Sequence, residues 1–305
     1  MEASYMIYTV TLNPALDYVI QTDHFRPGQI NRNKTENIYF GGKGINVSCI
    51  LNELGIESTA LGFIAGFTGK ALKEGLDAMG IHTDFTEVEN GFTRINVKLK
   101  SDEETEINGR GPQIEPADFE SFLQKIRTIQ KGDILILSGS IPSCMAGDTY
   151  EQIIQNLDSG VRVVADAEKD LLLKILKYRP FLIKPNNIEL GDMFDTVLKT
   201  DDEIIACARR LREQGAVNVL VSRAKDGALL VDENDQVHTI GVAKGTVVNS
   251  VGAGDSMVAG FLGGYLKTDD YAYALKLGTA CGGATAFHSG LATAEQIEEV
   301  LKSLK

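Results

Sequence analysis

The stretch Asn249-Ser250-Val251-Gly252-Ala253-Gly254-Asp255-Ser256-Met257-Val258-Ala259-Gly260-Phe261 passes within a few residues from small, turn-forming positions to an apolar helical run. Three small residues ahead of a helix let backbone N–H groups point outward at its N-terminus, where the macrodipole also favours negative charge. Gly252, Ala253 and Gly254 therefore read as an anion hole for the charge that spreads over a phosphoryl group during transfer. Asp255 is the first carboxylate on the predicted helix, placed to take a proton from an attacking hydroxyl. Read alone, the run equally describes a glycine-rich turn with Asp255 as an N-cap. From Asp255 through Ala286, Ala, Gly, Leu and Phe recur at helical spacing and predict two packed helices.

Upstream, strands are predicted at 133–138, 161–166, 181–184, 217–222 and 228–231, with helices between several of them. Such alternation predicts an α/β fold with a mostly parallel sheet covered on both faces. Met6 to Leu12 is a further β-rich run, closed by Asn13-Pro14, while Ile45, Val47, Ile50, Leu51 and Leu54 mark a helix stopped by Gly55. Two stretches do not belong to this core. Residues 18–40 are polar and alternating, and Thr93-Arg94-Ile95-Asn96-Val97-Lys98-Leu99-Lys100 is a half-buried strand with a return near Thr105-Ile107. Together they predict a small separate β-sheet. The organisation expected is one domain over 6–305, lid segments at about 15–40 and 92–109, and a short extension at 1–5.

The net charge of −12 disfavours nonspecific binding to nucleic acid or anionic membrane. It leaves an anionic substrate open, because salt screens charges beyond about 8 Å and local donors dominate a site. No apolar run approaches the roughly 18–20 residues of a membrane span. Cys49, Cys144, Cys207 and Cys281 lie far apart and read as isolated core thiols in a reducing, cytoplasmic setting. His24, His82, His238 and His288 show no metal or triad spacing. Met257 stands where a dinucleotide fingerprint needs its third glycine, and Ala71 follows Gly69-Lys70 where a P-loop needs Ser or Thr.

Three further segments carry chemistry. Gly41-Gly42-Lys43-Gly44-Ile45-Asn46 joins the exposed strands to the first helix; its glycines permit close approach of a ligand, and Asn46 offers donors and acceptors to sugar hydroxyls. The plain alternative is a flexible hinge with a solvated Lys43. Asp17 follows Asn13-Pro14-Ala15, and Lys184-Pro185-Asn186-Asn187-Ile188-Glu189 ends a predicted strand, where doubly wound sheets place ligands.

These elements resemble the ribokinase-like (PfkB-type) carbohydrate kinases over essentially the whole chain from Met6. The Gly-Gly-x-Gly-x-Asn element falls at 41–46, Gly-Ala-Gly-Asp at 252–255 and Asn-x-x-Glu at 186–189. The resemblance implies a three-layer α/β/α core with a β-sheet lid and an ATP-dependent kinase. Asp255 would be its catalytic base and Gly252, Ala253 and Gly254 its anion hole. It places Lys184, Asn186, Ser222, Lys225, Gly227 and Gly254 on the nucleotide side, with Asn186 and Glu189 organising Mg²⁺ through water. Asp17, Gly41, Gly42, Lys43, Asn46, Arg94, Asn108 and Ser140 fall on the sugar side, and the lid implies a homodimer.

Thr11-Leu12-Asn13-Pro14-Ala15-Leu16-Asp17 looks like the branch of the family that acts on fructose and tagatose phosphates. Arg94 matches that branch's phosphate-binding arginine; a planar guanidinium grips a phosphate bidentately, and a neutral sugar gains little from it. The alternative for Arg94 is a surface pair with the acidic turn Asp102-Glu103-Glu104. Asn108 stands where some relatives carry a second arginine, for which Lys43 or Arg32 is a candidate substitute. The implied reaction is transfer to the 6-hydroxyl of fructose 1-phosphate, giving fructose 1,6-bisphosphate. Tagatose 6-phosphate or fructose 6-phosphate as acceptor is the alternative within the class, and a non-catalytic sugar-phosphate sensor the alternative outside it.

Overall fold

The computed structural model describes residues 5–304. In chain order the first half contains β1 (Ile7–Thr11), β2 (Ala15–Gln21), β3 (Thr35–Gly41), α1 (Lys43–Glu53), β4 (Thr59–Ala65), α2 (Gly66–Ala78), the short β5 (His82–Thr83) and β6 (Thr86–Val88), β7 (Arg94–Lys100) and β8 (Glu104–Asn108). There follow α3 (Pro116–Ile126), β9 (Ile134–Ser138), α4 (Thr149–Gln155), β10 (Arg162–Asp166), α5 (Lys169–Ile175), β11 (Leu182–Ile183), α6 (Asn187–Met193), α7 (Asp201–Glu213) and β12 (Asn218–Ser222). The last elements are β13 (Ala228–Val231), β14 (Val237–Ile240), α8 (Ala253–Thr268), α9 (Tyr271–Ala286) and α10 (Ala294–Ser303).

The main sheet runs β14-β13-β12-β11-β10-β9-β1-β4-β5, with β6 also paired to β4. Its centre is parallel, whereas β12, β13 and β14 pair antiparallel at one edge. Two cores form on opposite faces of the sheet because strand side chains alternate. Leu135 and Leu137 of β9 join α3 to α7 on one face, while Ile134 and Ile136 join α1, α8, α9 and α10 on the other. The central strands are thus buried on both sides, which is why they read as continuous apolar runs.

A second sheet of order β3-β2-β7-β8 stands off this core. Across it, Ile38, Tyr18, Val97 and Ile107 are register partners and form one apolar row. The predicted strands, the first helix and the packed pair α8 and α9 are all present. Sequence reading missed β4, α2, β14 and α10, and it did not anticipate the antiparallel edge. The 1–5 extension falls mostly on residues 1–4, outside those described. Cys49, Cys207 and Cys281 are buried free thiols, but Cys144 is only half-buried.

Candidate functional site

Chain order reverses between β1 and β9, and ligands in doubly wound sheets bind beyond the strand ends at such a switch point. Here α1 starts with Lys43, and a Cβ on Gly139, just after β9, would lie 3.9 Å from the Lys43 Cβ. Helix α8 starts at the same place. Its N-cap is Gly252, at φ 81°, a left-handed conformation that L side chains rarely adopt. Asp255 is therefore the third residue of the helix and not its N-cap. It is buried, and its Oδ2 accepts a hydrogen bond from Asn46 Nδ2 at 2.8 Å. A Cβ on Gly254 would sit 3.2 Å from Lys184 Nζ and 4.0 Å from Asp166 Oδ2. Lys184 and Asp166 are both buried and pair at 3.4 Å.

Lys43, Asp166, Lys184 and Asp255 thus converge on the start of α8. Burial, and next the charge of Asp166, push the Asp255 carboxyl up to about 7, against the opposing pull of Asn46, Lys43 and Lys184. Burial tends to lower Lys43, yet Asp166, Asp255, Glu189 and Glu168 outweigh it and hold this partly exposed ammonium above its ordinary value. Lys43 is the first residue of α1, so its backbone is part of a helix start and not of a flexible hinge. Asp166 escaped sequence reading; its one visible signal was a carboxylate at the carboxyl end of a core strand.

The lid supplies a second group. Asp17 accepts from Asn96 Nδ2 at 2.8 Å and lies 3.5 Å from Lys98 Nζ. A Cβ on Gly41 would come within 2.8 Å of Asp17 Oδ2, so a larger residue there would displace the Asp17 carboxylate. Between lid and core lies a cavity of about 570 Å³ lined by Asp17, Gly41, Asn46, Lys98, Asn249 and Leu291, among others. Lys43, Arg94, Asn108 and Ser140 lie outside its lining.

Arg94 shares the lid face of Asn96 and Lys98 by strand alternation. It is half-buried and donates through Nε to the Asn13 carbonyl at 3.0 Å. The acidic turn is not its partner, for Asp102 pairs with His24 instead. Asn108 is exposed beside Asn96, whose Oδ1 accepts from the Gly109 amide at 3.2 Å. Ser140 is exposed just past β9.

Beyond the ends of β11 and β12, Asn186 and Ser222 bridge as parallel neighbours. Asn186 and Glu189 form a reciprocal cap on α6: Asn186 Oδ1 accepts from the Ile188 and Glu189 amides, and Glu189 Oε2 accepts from the Asn186 amide at 2.8 Å. The motif therefore has a structural duty that sequence reading had not assigned. Glu189 Oε1 and Asn186 Nδ2 have no protein partner among the described residues. No group of three or more His, Cys, Asp or Glu among those residues is arranged to enclose a metal ion. The donors present fit a hydrated ion held from outside its water shell and do not fit an all-protein cage. Lys225 is exposed on a 3₁₀ turn (Ala224–Asp226) ahead of Gly227, at φ 83°, where a Cβ would strike the Ile240 carbonyl at 2.0 Å.

Residues 10–298 match the family model described as pfkB family carbohydrate kinase. The chain is 48% identical over 301 residues to a 1-phosphofructokinase of Bacillus subtilis (strain 168), spanning 98% of this chain and 99% of that protein. It is 38% identical over 302 residues to a D-tagatose-1-phosphate kinase of Bacillus licheniformis, over 98% and 99% of the two. The fold superposes with a TM-score of 0.90 and 26% identity on phosphofructokinase-2 from Escherichia coli in complex with fructose-6-phosphate, over 99% of each chain.

Proposed function

The chain belongs to the pfkB family of carbohydrate kinases, and from that premise we propose that it transfers the γ-phosphoryl group of ATP to the 6-hydroxyl of fructose 1-phosphate. The observation that carries this reading is the convergence of the buried Asp255 and Lys184 with Asn46 and Lys43 at the start of α8, together with Arg94, which has no ion-pair partner among the described residues, on the small sheet. Asp255 accepts the proton of the 6-hydroxyl as its oxygen attacks the γ-phosphorus; the bond to the bridging oxygen breaks and ADP leaves. The amides of Gly252, Ala253 and Gly254, with Lys43, face the charge on the transferring group. Asp17, Gly41, Gly42, Asn46, Asn108 and Ser140 position the sugar, and Arg94 holds its 1-phosphate. Lys184, Ser222, Lys225 and Gly227 bind the nucleotide. Magnesium, when bound, neutralises phosphate charge, with Asn186 and Glu189 orienting its water.

Phosphorus NMR of the reaction mixture tests the product: a ketose with phosphates at both C1 and C6, formed one-for-one with ADP, is expected. A second reading, tagatose 1-phosphate as acceptor, is favoured by the 38% identical relative.

Because Asp255 is held near 7 and must be ionised to act as base, kcat/KM should fall about tenfold per pH unit below that value. A profile that stays flat down to pH 5 contradicts the assignment. The reading extends to a homodimer formed through the outer lid face, since Ile38 and Ile107 are 60% and 65% exposed in a continuous apolar row. Sedimentation equilibrium should then find a dimer that Ile38→Lys converts to monomer, and a monomeric native chain rules this interface out. No helix among the described residues is long and apolar enough to cross a membrane. The free cysteines support a cytoplasmic setting.

A further inference from the structure

We infer that Lys98 is a positioning residue for the sugar, holding the Asp17 carboxylate in the orientation in which it accepts a hydroxyl of the acceptor. This rests on the reading of Asp17 as a sugar-binding residue. Asp17, Asn96 and Lys98 stand on one face of the small sheet. Asn96 is the direct register partner of Asp17. Its Oδ1 accepts from the Gly109 amide at 3.2 Å, which turns Nδ2 toward Asp17 Oδ1 at 2.8 Å. Lys98 is not opposite Asp17. Its direct partners are Val19 on β2 and Glu106 on β8, yet its Nζ reaches diagonally to 3.5 Å from Asp17 Oδ2 and stays 3.9 Å from Glu106 Oε1. Each oxygen of Asp17 is thereby engaged by a different side chain. On a third side the carboxylate lies against Gly41, where a Cβ would come 2.9 Å from Asp17 Cγ.

Exposure and charge decide what Lys98 does there. Asp17, Lys98 and Glu106 all line the cavity between lid and core. Glu106 is the more exposed of the two acids, at 44% against 17%, so water satisfies it and Asp17 is the acid that depends on Lys98. The ammonium already faces two carboxylates, and a phosphate would have to displace one of them to bind it. Lys98 therefore acts through Asp17. A carboxylate accepts through about four lone-pair sites, so with one donor on each oxygen Asp17 keeps capacity for sugar hydroxyls. A side chain already fixed by two neighbours also loses little rotamer freedom when the sugar arrives. Without Lys98, Asn96 alone would hold one oxygen, and the carboxylate could swing about its Cβ.

The test is a double-mutant cycle on the full-length protein, read as the KM and kcat for fructose 1-phosphate. Lys98→Met should raise that KM about tenfold, as misdirection of one hydrogen bond to a charged group implies, and leave kcat and the KM for ATP nearly unchanged. Lys98→Arg should recover most of the loss, since it keeps a cation within reach of Asp17. In a chain already carrying Asp17→Asn, Lys98→Met should add almost nothing, because the group it orients is gone. Lys98→Gln serves the same cycle if thermal melting shows that the methionine variant does not fold. A native KM in Lys98→Met overturns the proposal. Independent effects that multiply in the double variant also overturn it, because Lys98 would then touch the substrate in its own right. Absence of turnover of fructose 1-phosphate by the native protein would instead overturn the acceptor reading beneath it.

Discussion

Asp255→Asn should lower kcat by about 10²–10⁴, the usual contribution of a positioned general base, while leaving the KM for ATP nearly unchanged. The same substitution should stabilise the protein at neutral and alkaline pH. Burial and Asp166 raise the folded-state pKa of Asp255 to about 7, above its ordinary 3.8. A carboxyl with a raised folded pKa binds its proton more tightly in the native state, so ionising it costs stability as pH rises from about 4 to about 7. An amide carries no such cost, and its oxygen can still accept from Asn46. The gain should be on the order of a few kcal/mol at pH 8 and vanish near pH 4. Lys43 and Lys184 temper it, since both lose a neighbouring negative charge. Thermal melts of the two proteins across pH give the stability curve and steady-state kinetics the rate. Turnover near the native value would remove Asp255 from the chemistry, and equal stability at pH 8 would mean that its carboxylate is not strained.

Arg94→Ala should raise the KM for fructose 1-phosphate by about 10–150-fold, corresponding to about 1.5–3 kcal/mol for a lost charged hydrogen bond. The KM for ATP should stay the same, and so should activity toward unphosphorylated fructose. Burial already draws Arg94 below its ordinary pKa, against the opposing charge of Asp17, so this guanidinium is costly to hold without an anion. Steady-state kinetics in both substrates separates the two effects. An unchanged KM for the sugar phosphate would reduce Arg94 to a fastener of the Asn13 turn.

Much of this was legible from sequence because it is local. Gly252 to Asp255 announce a helix start with a carboxylate behind it, and the alternation at 93–100 marks a half-exposed strand wherever it docks. Position within the helix was not legible: only the left-handed Gly252 separates a buried third residue from an N-cap. Strand β4 was hidden because Gly62 and Gly66 punctuate its run like a loop. Yet Gly62 is required there, since a Cβ would fall 1.9 Å from the Thr11 carbonyl of the neighbouring strand. Asp166 was invisible for a different reason. It is an unremarkable strand-end acid until β10 and β11 align it with Lys184, and no local pattern records that pairing. The Asn186–Glu189 motif was seen, but its duty as a helix cap depends on backbone geometry that spacing alone does not reveal.

With Asp255 as base at the start of α8 and Arg94 on the small sheet as phosphate ligand, one claim stands above the others: the acceptor is a ketose already phosphorylated at the end away from the base. The most direct measurement is kcat/KM from ADP release, compared across fructose 1-phosphate, fructose 6-phosphate, tagatose 1-phosphate, tagatose 6-phosphate and fructose. The highest value is expected with fructose 1-phosphate and a value near background with fructose. A higher kcat/KM for any other acceptor, or no ADP release with any of the five, contradicts the account.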